Sequence, residues 1–120
     1  MQNNLSKELI TDFKKSFKKL KLDRVENVYV TSNLTSIANL RIPKKDKLSI
    51  ILNSLKSVMG KKYTIFSPSA SMNLCNTKFV FDLKKTPSYQ MGPLAEFIRT
   101  QKNSTRSLHP FWSISASLSN

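Results

Sequence analysis

The chain has one cysteine, one histidine, one tryptophan and two glycines in 120 residues. A single cysteine, Cys75, excludes an internal disulfide framework and a cysteine-based zinc site. The two glycines, Gly60 and Gly92, lie far apart. That spacing excludes the Gly-x-Gly-x-x-Gly dinucleotide fingerprint and the Gly-rich phosphate loop, which need glycines within one short turn. No Gly-x-Ser-x-Gly nucleophile elbow is present. Acids are scarce as well, with seven Asp and Glu against twenty Lys and Arg. They are scattered, so no carboxylate cluster offers a metal site. No apolar run approaches the roughly 20 residues of a membrane span. The N-terminus, MQNNLSKELITDF, lacks the basic stretch and apolar block of a secretory signal. The expectation is a reducing, cytoplasmic setting without a membrane. There the Asn-x-Ser/Thr matches at Asn4, Asn33 and Asn103 carry no meaning.

What is abundant is positive charge. The formal net charge is +13 and apolar residues make up 39%, compatible with a single globular domain. Such a charge favours anionic partners: nucleic acid, acidic lipid or a phosphorylated cofactor. The distribution weakens the nucleic-acid reading. Lysines cluster in KKSFKKLK (Lys14 to Lys21) and PKKDK (Pro43 to Lys47), interleaved with apolar residues as on the solvated face of an amphipathic helix. No RNA-recognition motif or zinc finger accompanies them.

Periodicity sets the elements. Leu9, Ile10, Phe13, Phe17 and Leu20 recur at helical spacing and predict a helix over Leu5 to Leu20. NVYVTS is β-branched and aromatic and predicts a buried strand, Asn27 to Thr31. Leu48, Ile51, Leu52, Leu55 and Val58 mark a second helix, with Asp46 near its start and Gly60 as its stop. YTIFS predicts a strand, and TKFVFD (Thr77 to Asp82) a further short strand or extended piece. Pro93 suits the first position of a third helix, Leu94 to Thr100. Trp112, Ile114, Ala116 and Leu118 alternate with serines, as in a strand with its apolar face buried. The alternation of helix and strand predicts an α/β fold, a layered sheet with flanking helices. The whole of residues 1–120 reads as one domain without an internal boundary. It also looks incomplete, because the last strand needs further sheet or helix to cover it.

Two places could carry chemistry. One is the junction VYVTSNLTSIA, where a loop leaves the end of a strand, the usual ligand position in α/β folds. Thr31, Ser32, Thr35 and Ser36 offer hydroxyls there; a polar turn is the plainer reading. The other is TRSLHP. Arg106 presents a donor fork suited to phosphate, and His109 is the side chain that titrates near neutrality. The plainer reading of His109 is a hydrogen-bonded residue that holds the turn before Pro110. A Ser-His-Asp triad can be drawn on paper from His109 and Asp82, but nothing fixes its nucleophile.

Taken together, these segments resemble the aminoglycoside 3-N-acetyltransferase family. Its strand running into His-Ser-Ser-Leu-Ser-Ser-Leu-Gly is similar to VYVTSNLTSIA. Ser32, Leu34 and Ser36 match, Thr35 and Ile37 are close substitutes, and Thr31, Asn33 and Ala38 depart from it. KKYTIFSPSAS looks like the family's next strand, with Pro68 in register. FDLKKTPSYQMGPLAEFIR matches the turn and helix at Phe81, Asp82, Thr86, Pro87, Ser88, Met91, Gly92, Leu94, Glu96, Phe97 and Arg99. RSLHPFWSISA matches Arg-Ser-x-His-Pro-x-x-Ser-x-x-Ala at Arg106, Ser107, His109, Pro110, Ser113 and Ala116.

The resemblance implies the N-terminal half of a larger acetyltransferase fold. It implies acetyl-CoA as cofactor and a small-molecule amine as acceptor, an aminoglycoside or a related amino-sugar. It places Thr31, Ser32, Asn33, Leu34, Thr35 and Ser36 along the pantetheine arm, and Arg106, Ser107, His109 and Ser113 around the cofactor pocket. The family's catalytic histidine and its acid fall beyond Asn120, so no catalytic residue is expected here. His109 matches the His-Pro motif and not the base. A chain of this extent alone is expected to be inactive. The alternatives are a non-catalytic fragment or binding protein with the fold's first half, and a small basic nucleic-acid-binding protein.

Overall fold

The computed structural model describes residues 2–119, with side chains from Asn4 onward. Contacts divide the chain into two compact units. One holds residues up to Glu26 and Leu34–Tyr63, and the other holds Asn27–Asn33 and the chain from Thr64 on.

The first unit is helical. α1 (Gln2–Lys19) ends in Lys18 and Lys19, which suit the partial negative charge of a helix C-terminus. It packs against α2 (Lys44–Met59). The α2 residues that recur every three or four positions, Leu48, Ile51, Leu52, Leu55, Val58 and Met59, are buried. Lys47 lies on the same buried face, and its ammonium donates to the Ala38 carbonyl at 2.8 Å. That bond satisfies a charge that would be costly to bury alone. α2 stops at Gly60, whose φ of +88° is open to glycine and strained for other residues.

The second unit is a four-stranded sheet with one helix. Its strands are β1 (Asn27–Tyr29), β2 (Thr64–Pro68), β3 (Ser104–Arg106) and β4 (Ile114–Leu118), in the spatial order β1-β2-β4-β3. β1 and β2 run parallel and the other pairs antiparallel. A parallel pair needs a long crossover, and the segment containing α2 supplies it in sequence. α3 (Pro93–Arg99) begins with proline at its first position. It packs on β2, β3 and β4 and buries Leu94, Ala95 and Ile98.

The α/β class and the layered order hold. Several finer expectations do not. TKFVFD forms no strand. Phe79 and Val80 in it are 79% and 88% exposed, since strand propensity without a pairing neighbour does not make a strand. β1 ends two residues short of Thr31, though Val30 still donates to the Phe66 carbonyl at 2.8 Å. β3 has no counterpart among the expected elements, because its residues, Ser-Thr-Arg, carry no apolar alternation.

The largest correction concerns β4. It is an inner strand, paired on both sides, and its faces are the reverse of the expected ones. Ser115 and Ser117 are fully buried, while Ile114 and Leu118 are each 43% exposed. The cause lies in the register. Ser117 pairs with Ile65 and Ser104, and Ser115 with Ser67 and Arg106. The Ser104 hydroxyl donates to the Ile98 carbonyl of α3, so α3 covers the serine face. Small side chains let the helix sit close to the sheet. Tyr29, Phe66, Ala116 and Thr105 form a row across the other face.

Candidate functional site

The sheet unit gathers its polar side chains around Arg106. Two paired serine tracks, Ser67-Ser69-Ser71 and Ser113-Ser115-Ser117, are buried. Ladder bonds continue past the end of β2, from Ser69 N to Ser113 O and from Ser71 N to Phe111 O, each 3.0 Å. The Ser113 hydroxyl donates to the Ser69 carbonyl at 2.8 Å and accepts from the Ser69 hydroxyl at 3.2 Å. It also accepts from Arg106 Nε at 2.9 Å. Its donor and both acceptor positions are therefore filled.

The rest of the Arg106 fork reaches backbone. Nη2 donates to Ser69 O at 2.6 Å and Nη1 donates to Thr86 O. The face of the guanidinium lies 4.8 Å from the centroid of the Phe81 ring, within cation–π reach. Burial and the nearby Arg99 charge pull the Arg106 pKa down, and Glu96 opposes them. Three segments far apart in sequence are held by this one side chain: the end of β2, the Phe81–Thr86 loop and the start of β4.

A second arginine holds the same loop. Arg99 pairs with Glu96 and donates to the Lys84 carbonyl at 2.7 Å. Glu96 also accepts from the Ser88 amide at 3.0 Å and from the Ser88 hydroxyl at 3.3 Å. Within the loop, the Asp82 carboxylate accepts from the amides of Lys84 and Lys85 at 2.9 and 2.8 Å. Those amides hold its pKa below the usual carboxylate range. Asp82 and Glu96 are the only acids of this unit, and both are engaged. Lys84, Arg99, Lys102 and Arg106 border a cleft of about 460 Å³ in the same unit.

The turn after β3 is built locally. Ser107 Oγ accepts from Ile114 N at 2.9 Å. His109 Nδ1 accepts from the amides of Phe111 and Trp112 at 3.2 and 3.0 Å. Both bonds need a lone pair on Nδ1, which puts the ring proton on Nε2. His109 is exposed and stacks edge-on with Phe111 at 6.2 Å. It holds the turn around Pro110, as its plainer sequence reading expects. Among the described residues no carboxylate partners it.

Of the loop after β1, Thr31, Ser32 and Asn33 belong to the sheet unit, and Leu34, Thr35 and Ser36 to the helical one. Thr31, Asn33, Thr35 and Ser36 are exposed; Ser32 and Leu34 are half-buried. Gly92 approaches this loop: a side-chain carbon there would lie 3.6 Å from the Ser32 carbonyl. Thus Arg106 and Ser113 bond directly, Ser107 and His109 shape the adjoining turn, and Ser32 lies beside the start of α3.

Sequence reasoning missed Ser69, Ser71, Thr86 and Arg99 as organisers. A signal was present: serine at every second position in SPSAS and SISASLS. The groups that could bind a metal, three or more His, Cys, Asp or Glu together, do not occur among the described residues.

A family model for aminoglycoside 3-N-acetyltransferases matches residues 30–117. No curated protein sequence matches the chain. Solved structures do. The YokD protein from Bacillus subtilis superposes with a TM-score of 0.75 at 22% identity, over 89% of this chain and 48% of that one. AAC-IIIb, solved as a binary complex with CoASH, gives 0.72 at 20% identity, over 89% and 44%. A mutant of AAC(3)-IVa in complex with apramycin gives 0.62 at 24% identity, over 77% and 35%. The chain therefore spans less than half the length of these structures. The family match runs from the end of β1 through both arginine clamps to β4, and on that extent the chain belongs to the aminoglycoside 3-N-acetyltransferase family.

Proposed function

We propose that this chain is the cofactor-side half of an acetyl-CoA-dependent N-acetyltransferase of the cytoplasm. Its acceptor is the 3-amino group of an aminoglycoside or the amine of a related amino-sugar. The observation that carries the reading is the family match over residues 30–117.

The residues present fit a polyphosphate cofactor in charge. The sheet unit has basic side chains around its cleft, and its two acids are turned onto backbone amides and onto Arg99. In this reading Thr31, Ser32 and Asn33 of the sheet unit hold the pantetheine arm through hydroxyls and amides. Ser107, His109 and Ser113 shape the pocket wall. Arg106 is a positioning residue, because three of its donors already serve the protein.

When bound, acetyl-CoA supplies an acetyl group already activated as a thioester. The protein has to orient it against an unprotonated amine, and a general base must keep that amine free of its proton. His109 is unsuited to serve as that base, since its Nδ1 is occupied by two amides and no acid among the described residues orients the ring. In this reading no residue of the chain is assigned the role of that base.

Two measurements test the reading together. Calorimetry with acetyl-CoA is expected to show saturable binding to the purified chain. A free-thiol assay with acetyl-CoA and a panel of amines is expected to show no turnover by the chain alone. Absence of binding at millimolar cofactor would remove the proposal, and turnover by the chain alone would remove the claim about the base.

A further inference from the structure

The end of α1 and the turn after it collect charge that the helical unit does not neutralise. Six cations, Lys14, Lys15, Lys18, Lys19, Lys21 and Arg24, stand against two acids, Asp23 and Glu26. All six but Lys14 are exposed. Among the described residues the one ion pair is Arg99 with Glu96, so none of the six is paired. Lys14 and Lys18, and likewise Lys15 and Lys19, lie four apart on the helix, where like charges repel. The helix dipole accounts for Lys18 and Lys19 in the last turn, and not for the rest.

Two further features fall in the same segment. Lys21 has φ 61° and ψ 30°, the left-handed conformation in which helices commonly stop on glycine. A side chain is unfavourable there, yet the position holds a cation. Leu20, between Lys19 and Lys21, is 69% exposed, and Val25 is exposed as well. The apolar face of α1 is used elsewhere: Phe13 and Phe17 are half-buried against each other, with ring centroids 5.7 Å apart, and α1 packs on α2. Leu20 is therefore an aliphatic side chain left in water among lysines.

We infer that the segment from Lys14 to Val25 is a docking surface for an anionic lipid bilayer, with the cations on the headgroups and Leu20 in the interface. Charge complementarity carries the partner, since cytoplasmic leaflets are negative and attract clustered lysines. Leu20 selects lipid over nucleic acid. A sugar-phosphate backbone offers a leucine nothing, and single strands are held by stacking on aromatic or arginine side chains. This segment has one arginine, and its one aromatic, Phe17, is half-buried. A membrane interface accepts lysine and leucine together. No helix of the described residues is long and apolar enough to cross a membrane. The expectation of a setting without a membrane rests on that lack of a span, and contact at the surface needs none. The inference does not depend on acetyl transfer.

The test is co-sedimentation of the 120-residue chain with vesicles of phosphatidylcholine alone, or of phosphatidylcholine and phosphatidylserine in equal parts. Binding is expected to the mixed vesicles and not to the neutral ones. Because the whole chain is at +13, variants have to localise the contact. Lys18→Gln with Lys19→Gln is expected to weaken binding about tenfold, and Leu20→Ser at least about threefold. Lys44→Gln with Lys45→Gln removes the same charge from the start of α2 and is expected to have a much smaller effect; an equal effect overturns the assignment to this segment. Lys21→Gly is expected to weaken binding while raising the melting temperature, because glycine relieves the left-handed backbone. A purely structural role for Lys21 does not produce that pairing.

If the double variant at Lys18 and Lys19 does not fold, Leu20→Ser and Lys21→Gly still decide. No binding to the mixed vesicles at low salt overturns the inference. So does wild-type binding by Leu20→Ser, which would mean that the surface answers to any polyanion. Single-stranded RNA that binds more tightly than the mixed vesicles, and equally well to Leu20→Ser, would make nucleic acid the partner and likewise overturn it. Vesicle binding by a chain that does not bind acetyl-CoA would leave this inference standing and remove the functional proposal.

Discussion

Arg106 donates to Ser69 O, Thr86 O and Ser113 Oγ and faces the Phe81 ring. A lysine at this position keeps the charge but loses the planar fork, so it cannot reach three acceptors in one plane. Arg106→Lys is expected to lower stability by about 2–3 kcal/mol, because hydrogen bonds from a charged donor are worth roughly 1.5–3 each and at least one acceptor is left unmet. Urea denaturation measures it, and an unchanged midpoint would show that the clamp carries no weight. The serine tracks give a sharper contrast. Ser113 Oγ has all its hydrogen-bonding positions filled, whereas Ser115 Oγ has none. Ser113→Ala is expected to cost about 1–3 kcal/mol, and Ser115→Ala to be neutral or stabilising by about 1 kcal/mol, since removing an orphaned buried hydroxyl removes its desolvation cost. Equal effects from the two substitutions would contradict the bonding pattern.

At the scale of elements, the start of α3 depends on Gly92 and on the loop before it. Gly92 has φ +91° and ψ 161°, a region essentially reserved for glycine. Its nearest neighbour, Ser32 O, leaves room for a side-chain carbon. The cost of Gly92→Ala is therefore conformational and not steric, about 1–3 kcal/mol. A melting temperature equal to that of the wild type would argue against this backbone. The preceding loop carries a pH dependence. Asp82 has its pKa lowered by the Lys85 and Lys84 amides. A lowered carboxylate pKa contributes stability that is fully present above the ordinary value, near 4, and is lost as pH falls through the lowered one. The difference in melting temperature between wild type and Asp82→Ala is therefore expected at neutral pH and to shrink as the pH falls below the ordinary carboxylate value. A difference that persists in acid would mean that the carboxylate charge is not its source.

Elements and site are unequally legible in the sequence. The helices declare themselves because burial selects residues every three or four positions, as in Leu48, Ile51, Leu52 and Leu55. The Gly92-Pro93 start of α3 is readable for a similar local reason. The pattern of β4 reveals a strand but points to the wrong inward face. The expectation that apolar residues face the nearest layer fails where the nearest layer, α3, packs on serines. The role of Arg106 is invisible for a different reason. Two of its partners are carbonyls, and carbonyl positions are set by the fold rather than by residue type.

For the whole molecule the decisive quantity is the sign of its charge. A net charge of +13 attracts a polyanion and repels a polycation. Acetyl-CoA is the former and an aminoglycoside the latter. The sheet unit has no acid beyond Asp82 and Glu96. Asp82 caps its own loop and Glu96 is paired with Arg99, so an ammonium-rich ligand finds little to bind there. Acetyl-CoA affinity is expected to fall several-fold between about 50 and 500 mM salt, as the Debye length shrinks from above 10 Å to about 4 Å. Over the same range an aminoglycoside is expected to show no saturable binding to this chain alone. Calorimetry with both ligands reads the two outcomes. Tight aminoglycoside binding would place the acceptor site within these 120 residues and overturn the assignment of this half to the cofactor. Generic RNA that binds with a steeper salt slope and higher affinity than acetyl-CoA would favour a nucleic-acid role instead.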